Sequence, residues 1–211
     1  MSKQKTNWIC EECKYNAIRW SGACPSCREW NTLKENIINA PIADRLPIQL
    51  IRLLDAQSEE PKRISTEIQE VDRVLGGGFV PGSLILLGGD PGIGKSTLLL
   101  QICSGLSKKT SQAVLYVSGE ESIQQLSIRA NRIGLRSKDV FCLSHCHVTS
   151  ILETVKKVNP SLLVIDSIQT TYEDSLSSTP GSPQQLREVC AQFLTLAKRT
   201  SIVVLLIGHV T

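Results

Sequence analysis

From residue 64 onward the chain alternates short apolar runs with stretches in which apolar residues recur every three or four positions. The runs at 83–87, 113–118, 140–143, 162–165 and 201–207 read as strands; the periodic stretches at 68–75, 97–106, 122–133 and 183–199 read as helices. Strand and helix in alternation is the signature of βαβ units. The expectation is therefore an α/β fold, a parallel sheet flanked by helices. Thr66-Glu67-Ile68-Gln69 has the form of a capping box, and Gly76-Gly77-Gly78 stops the helix that follows. The strand at 140–143 is read as buried, and the last strand, at 201–207, is expected to present a bare edge.

The first 63 residues follow no such rhythm, and here composition changes the picture. Overall, 41% hydrophobic and 20% charged residues is a globular mix, which excludes disordered and fibrous classes. Four of the eight cysteines fall as Cys10-x2-Cys13 and Cys24-x2-Cys27. Two thiolate pairs, each on a tight turn, suit a closed tetrahedral Zn2+ site. A segment of about 34 residues cannot bury enough apolar surface to fold unaided, so the metal must supply the missing stability. All three tryptophans, Trp8, Trp20 and Trp30, lie in this stretch. They either cover the small metal-centred core, the favoured reading, or stack on unpaired bases while Lys14, Arg19 and Arg28 track phosphate.

The division expected is a four-cysteine zinc ribbon at 1–34, a linker at 35–63 and an α/β domain at 64–211. Within the linker, Ile48, Leu50, Ile51, Leu53 and Leu54 form an apolar patch suited to docking as a short helix or strand. The formal net charge of +3 is too near neutrality to mark a nucleic-acid binder, although the first 34 residues hold six basic and three acidic residues. No apolar run approaches the ~20 residues of a membrane helix. The N-terminus lacks a secretory pattern, so a soluble, cytoplasmic protein with reduced thiols is expected.

The candidate chemistry clusters at predicted strand ends. Gly89-Asp90-Pro91-Gly92-Ile93-Gly94-Lys95-Ser96 matches G-x-x-x-x-G-K-S/T, and Thr97 continues it into a helix. Strand, glycine loop and helix together make a phosphate cradle: amides turn inward on phosphate oxygens, Lys95 reaches the β- and γ-phosphates of ATP, and the Ser96 hydroxyl ligates Mg2+. Asp166, ending an apolar strand, is a second Mg2+ candidate. Glu120 and Glu121 follow another strand; Glu120 is read as the residue that orients the attacking water, and Glu121 as a surface acid of a helix start. His209 stands at the same edge, where sensing a γ-phosphate and a plain structural role are both open. Cys142, His145, Cys146 and His147 do not read as a metal set, because Cys142 belongs to a strand and the adjacent pair Cys146 and His147 tend to point apart.

These residues together resemble a known family. Cys10-Glu11-Glu12-Cys13, the stretch from Gly22 to Asn31, Glu70-Val71-Asp72-Arg73-Val74-Leu75-Gly76-Gly77-Gly78 and the glycine loop closely resemble the bacterial RadA (Sms) family, over nearly the whole chain. The resemblance implies a RecA-like P-loop NTPase core and a DNA-dependent ATPase of recombinational repair that branch-migrates recombination intermediates. It also implies single-stranded or branched DNA and a RecA-type recombinase as partners, and a homo-hexamer. It places Glu120 at the catalytic position, His209 at the γ-phosphate sensor and residues 169–182 near the first DNA-binding loop. Family members continue past the equivalent of Thr211 with the rest of the core and a Lon-protease-like domain, so this chain resembles their first part. The alternative is a non-hydrolysing module whose zinc ribbon recruits DNA or protein.

Overall fold

A computed structural model describes residues 6–37, 52, 62–109 and 112–209. The chain divides into two compact units, residues 1–58 and 59–211. The apolar patch at 48–54 and most of the expected linker lie outside the described residues.

In the first unit β1 (Thr6–Cys10), β2 (Asn16–Ala17) and β3 (Leu33–Ile37) form an antiparallel sheet in the order β2-β1-β3. Its core is Cys10, Ala17, Cys24 and Leu33, with Trp8 and Cys27 against it. So few apolar groups cannot offset the entropy of ordering the segment. The tryptophans depart from the favoured expectation. Trp8 packs on the core and meets Trp20 edge to face at 6.4 Å, but Trp20 is 56% and Trp30 74% exposed. Those two rings face outward rather than shielding the metal centre.

The second unit is a five-stranded parallel sheet: β4 (Leu84–Gly89), β5 (Val114–Ser118), β6 (Val140–Leu143), β7 (Leu162–Asp166) and β8 (Val203–His209), in the order β4-β8-β7-β5-β6. Every residue of β5 and β7 is buried, as a strand covered on both faces requires. Alternation of side chains divides the core in two. Tyr116, Val164 and Leu205 face one side, packed with Leu99, Cys103 and Leu106 of α2 (Lys95–Lys109) and Leu126 of α3 (Ile123–Arg132). Val117, Ile165 and Leu206 face the other, packed with Ile151 and Val155 of α4 (Val148–Val158) and Val189 and Phe193 of α5 (Pro183–Thr200). The result is a three-layer α/β/α unit.

Three expectations are corrected. The final strand is interior, paired with both β4 and β7, so among the described residues the edges of the sheet are β4 and β6. The strand at 140–143 is accordingly an edge, with Phe141 47% exposed. The capping box at 66–69 does not form. The short helix α1 (Gln69–Val74) has Ile68 as its cap without a side-chain bond: Thr66 Oγ1 accepts from the Ile68 amide at 3.3 Å rather than from Gln69, and donates to Asp72 Oδ1 at 2.7 Å.

Asp72 also accepts from the Thr66 amide at 2.8 Å and from Ser65 Oγ at 2.6 Å. Desolvation pushes its pKa up, but these hydrogen bonds outweigh it, so the carboxyl sits below its ordinary range. Asp72→Ala is expected to destabilise the unit by on the order of 2 kcal/mol at neutral pH, read from thermal melts. A depressed carboxylate stabilises the fold above its unfolded pKa of about 3.9 and loses that contribution as pH falls through the folded value. The gap between variant and parent should therefore close below about pH 4.

Between α1, α2 and the β4 edge lies a hollow of about 440 Å3 with a nearly wholly apolar wall that includes Val71, Leu86 and Leu98. It holds neither the residues of the glycine loop nor Glu120, Asp166 or His209.

Candidate functional site

The four cysteines converge. Cys10 Sγ lies 3.6 Å from Cys27 Sγ and Cys13 Sγ 3.6 Å from Cys24 Sγ, with all four sulfurs within 4.8 Å of one another. Tetrahedral coordination with Zn–S bonds of about 2.3 Å sets sulfur separations of about 3.8 Å, so the set fits Zn2+. The two Cys-x2-Cys segments make the same local structure. In each, the first cysteine's carbonyl accepts from the residue four on, Lys14 at 3.0 Å and Arg28 at 2.9 Å. Its amide donates to the residue five on, Tyr15 and Glu29, both at 2.9 Å. Lys14 and Arg28 both adopt left-handed backbone, φ 60° and 63°. The turns aim amides at sulfur. The Cys13 amide, with Thr32, lowers the Cys10 thiol to about 6, and the Tyr15 amide lowers Cys13. At Cys27 the Glu29 amide pulls down, but desolvation and the neighbouring thiols win and push it up to about 12. Crowded thiolates of this kind call for a cation between them.

The second site lies at the carboxyl ends of the parallel strands, where ligands bind in open α/β sheets. Register brings its parts together: Gly89 ending β4 pairs with His209 ending β8, and Ser118 ending β5 pairs with Asp166 ending β7. After Gly89 the chain loops through Asp90, Pro91 and Ile93 into α2. Gly92 and Gly94 have φ of +82° and +100°, which only glycine adopts without strain, and a Cβ on either would meet no atom within 4 Å. Both face open space. Lys95, 8% exposed, opens α2 and folds back so that Nζ donates to the carbonyls of Gly89 and Asp90, each at 2.7 Å.

Asp166 is 4% exposed and accepts a hydrogen bond from the Tyr116 hydroxyl on Oδ2. Burial, then the Asp166 charge, pushes the Tyr116 pKa up, so the phenol stays a donor. The Asp166–Ser167 peptide is cis. Ser167 Oγ donates to Glu120 Oε1 at 2.5 Å, and His209 Nε2 lies 2.7 Å from the same oxygen. Desolvation raises the Glu120 pKa, but these two partners and the Lys95 charge bring it below its ordinary value. The backbone before Glu120 is closely packed: a Cβ at Gly119 would clash with Thr170 Oγ1 and lie 2.7 Å from Cys146 Sγ.

One cavity of about 270 Å3 collects these groups. Pro91, Gly92, Gly94, Lys95, Ser96 and Thr97 form one wall; Glu120, Asp166 and His209 face them. Its hydroxyls, carboxylates and buried ammonium suit a phosphate chain with Mg2+. Two further residues line it. Glu121, expected at the surface, is 23% exposed and paired at 2.8 Å with Arg129, which no motif had indicated. Arg129 stands in the second half of α3, whose start is fixed by a true capping box between Ser122 and Gln125. Only the path of that helix brings it to the cavity.

The loop at 169–182 is tied to the first turn of α5. Gln185, 1% exposed, accepts from the Glu173 amide and donates to the carbonyls of Glu173 and Ser178. Cys142, His145, Cys146 and His147 do not converge on a common point: His147 pairs with Asp174 at 3.3 Å and packs on Tyr172.

Fold and site together define a RecA-like P-loop core preceded by a four-cysteine zinc ribbon. The chain belongs to the AAA domain family, whose model matches residues 51–211, and a rubredoxin metal binding domain model matches residues 8–35. Its similarity to DNA repair protein RadA runs over its full length: 43% identity to that of Halalkalibacterium halodurans, 42% to that of Bacillus subtilis and 40% to that of Aquifex aeolicus, each alignment covering 100% of this chain and 48% of the relative. The chain thus spans about half the length of these relatives. None of the described helices is long and apolar enough to cross a membrane.

Proposed function

We propose that this chain binds MgATP in the 270 Å3 cavity and hydrolyses it under stimulation by DNA, as part of recombinational DNA repair in the cytoplasm. The observation that carries the reading is Glu120, held by Ser167 and His209 across the cavity from Lys95 and Ser96. In this reading the amides from Gly89 to Thr97 cradle the phosphates, with the α2 N-terminus adding a favourable dipole. Lys95 leaves its two loop carbonyls for the β- and γ-phosphate oxygens, and Ser96 and Asp166 would hold Mg2+. The metal supplies charge neutralisation on the phosphates. Both contacts to Glu120 fall on Oε1, so Oε2 is available to accept from a water and orient it toward the γ-phosphorus. His209 links the γ-phosphate side of the cavity to Glu120, and Gln169, whose Nε2 lies 3.4 Å from the His209 carbonyl, opens the loop proposed to meet DNA.

DNA repair enters from the relatives' name; branch migration, a ring of six subunits and a RecA-type recombinase as partner are finer parts of the proposal that rest on the family resemblance alone. The test is ATP turnover with and without single-stranded DNA. Wild type should turn over faster with DNA, and Lys95→Ala should lose on the order of 100-fold or more. A rate indifferent to Lys95→Ala would overturn the reading. MgATP binding without turnover, with or without DNA, would leave a nucleotide-stabilised recruitment module in its place.

A further inference from the structure

Arg129 has a place in the cavity that the proposed roles do not use. Among the described residues its guanidinium makes a single ion pair, Nη2 to Glu121 Oε1 at 2.8 Å, with 38% of the arginine side chain and 23% of the glutamate exposed. Glu121 is anchored by its backbone: its amide donates to Ser118 Oγ at 3.2 Å, and its carbonyl accepts from the same hydroxyl at 2.7 Å. The Ser122–Gln125 capping box then fixes α3, so strand end, turn and helix hold the guanidinium at the cavity wall.

The charges at that wall are unevenly matched. Three carboxylates line the cavity, Glu120, Glu121 and Asp166, against Lys95 and Arg129 as permanent cations. A phosphate chain brings several more negative charges. Beside the loop amides and Mg2+, Lys95 is then the one permanently cationic side chain among the described residues of the wall left to meet the polyanion, unless Arg129 is released from its carboxylate. A guanidinium presents five donors in a planar fork that matches phosphate oxygens, and one contact to Glu121 leaves most of the fork unused. Arg129 and phosphate are thus complementary, and Glu121 competes for the same donor.

We propose that Arg129 is a nucleotide-binding residue whose guanidinium exchanges Glu121 for phosphate oxygens when the triphosphate enters, with Glu121 as the counter-ion it leaves. This rests on the reading that ATP occupies the cavity. The exchange makes opposite predictions for the two partners. Arg129→Ala should weaken MgATP binding about tenfold to a hundredfold, whereas Glu121→Gln should tighten it a few-fold by removing the competitor. Arg129→Lys, which keeps the charge and loses the fork, should fall between wild type and Arg129→Ala.

The experiment is calorimetric titration of the zinc-loaded chain with MgATP at low salt, for wild type, Lys95→Ala, Arg129→Ala, Arg129→Lys and Glu121→Gln, with a thermal melt of each. Should Arg129→Ala fail to fold, the sign of the Glu121→Gln change still decides. Wild-type affinity in Arg129→Ala, with binding lost in Lys95→Ala, would overturn the exchange and leave the ATP site standing. Weaker binding in Glu121→Gln would likewise overturn it, marking the ion pair as a strut of the cavity wall. No binding by wild type, or binding indifferent to both Lys95→Ala and Arg129→Ala, would remove the ATP site and this inference with it.

Discussion

Replacing Glu120 by Gln is expected to lower ATP turnover by about 100- to 10,000-fold while MgATP binding persists. The amide keeps the size of the side chain but loses the charge that Ser167, His209 and Lys95 all face. Those partners hold the carboxyl below its ordinary pKa, which makes it a poor proton acceptor and a steady hydrogen-bond acceptor. Its proposed work is therefore to aim a water more than to strip it. The sign of the shift gives a second reading of the same prediction. A carboxyl lowered from its usual value of about 4.3 stays ionised as the medium is acidified toward that value. An acid limb in the turnover profile near neutrality would have to come from a group other than Glu120. Steady-state turnover alongside equilibrium binding checks the claim; equal losses in both would show Glu120 acting as a binding residue.

Removing the metal should have the largest structural effect. Structural zinc in small domains contributes about 10–16 kcal/mol of apparent binding energy, far beyond what the burial of Cys10, Ala17, Cys24 and Leu33 can supply. A strong chelator, or Cys24→Ser at a position 1% exposed, is expected to abolish the β1–β3 sheet. Amide exchange should show loss of protection on the Thr6–Cys10 and Leu33–Ile37 strands, while helix signal carried by α2 to α5 is retained. Protons compete with the metal for thiolates, so acid should release zinc and alkali should retain it. A protected β1–β3 sheet in metal-free protein would refute a metal-dependent fold.

The glycine loop was plain in the sequence because its backbone admits little else: Gly92 and Gly94 sit at positive φ beside a lysine and a serine that open the next helix. Asp166 showed itself in the same way, as the one polar residue closing an apolar strand. Helix α4 is written just as clearly in the chain. Val148, Ile151 and Val155 mark the buried stripe of α4, and Asn159 in left-handed backbone before Pro160 ends it. The β1–β3 strands could not be seen that way, since Asn7, Lys34, Glu35 and Asn36 carry no apolar alternation and their order follows from four sulfurs drawn to one point. Thr66 departs from the capping pattern because Asp72, six residues on, takes both its amide and its hydroxyl proton, while its hydroxyl oxygen accepts from the Ile68 amide rather than that of Gln69. The partnership of Glu121 and Arg129 depends on where a helix runs after a turn, which no local spacing encodes.

The outward-facing indoles have a practical consequence. All three of the chain's tryptophans belong to the zinc-bearing unit, and the α/β unit has tyrosine but no tryptophan. Indole emission, excited apart from tyrosine, is therefore a private optical channel on the metal-bearing unit. With Trp20 and Trp30 open to quenchers in water, anything that settles over them would announce itself as a change in colour and accessibility of that light, without a label being attached.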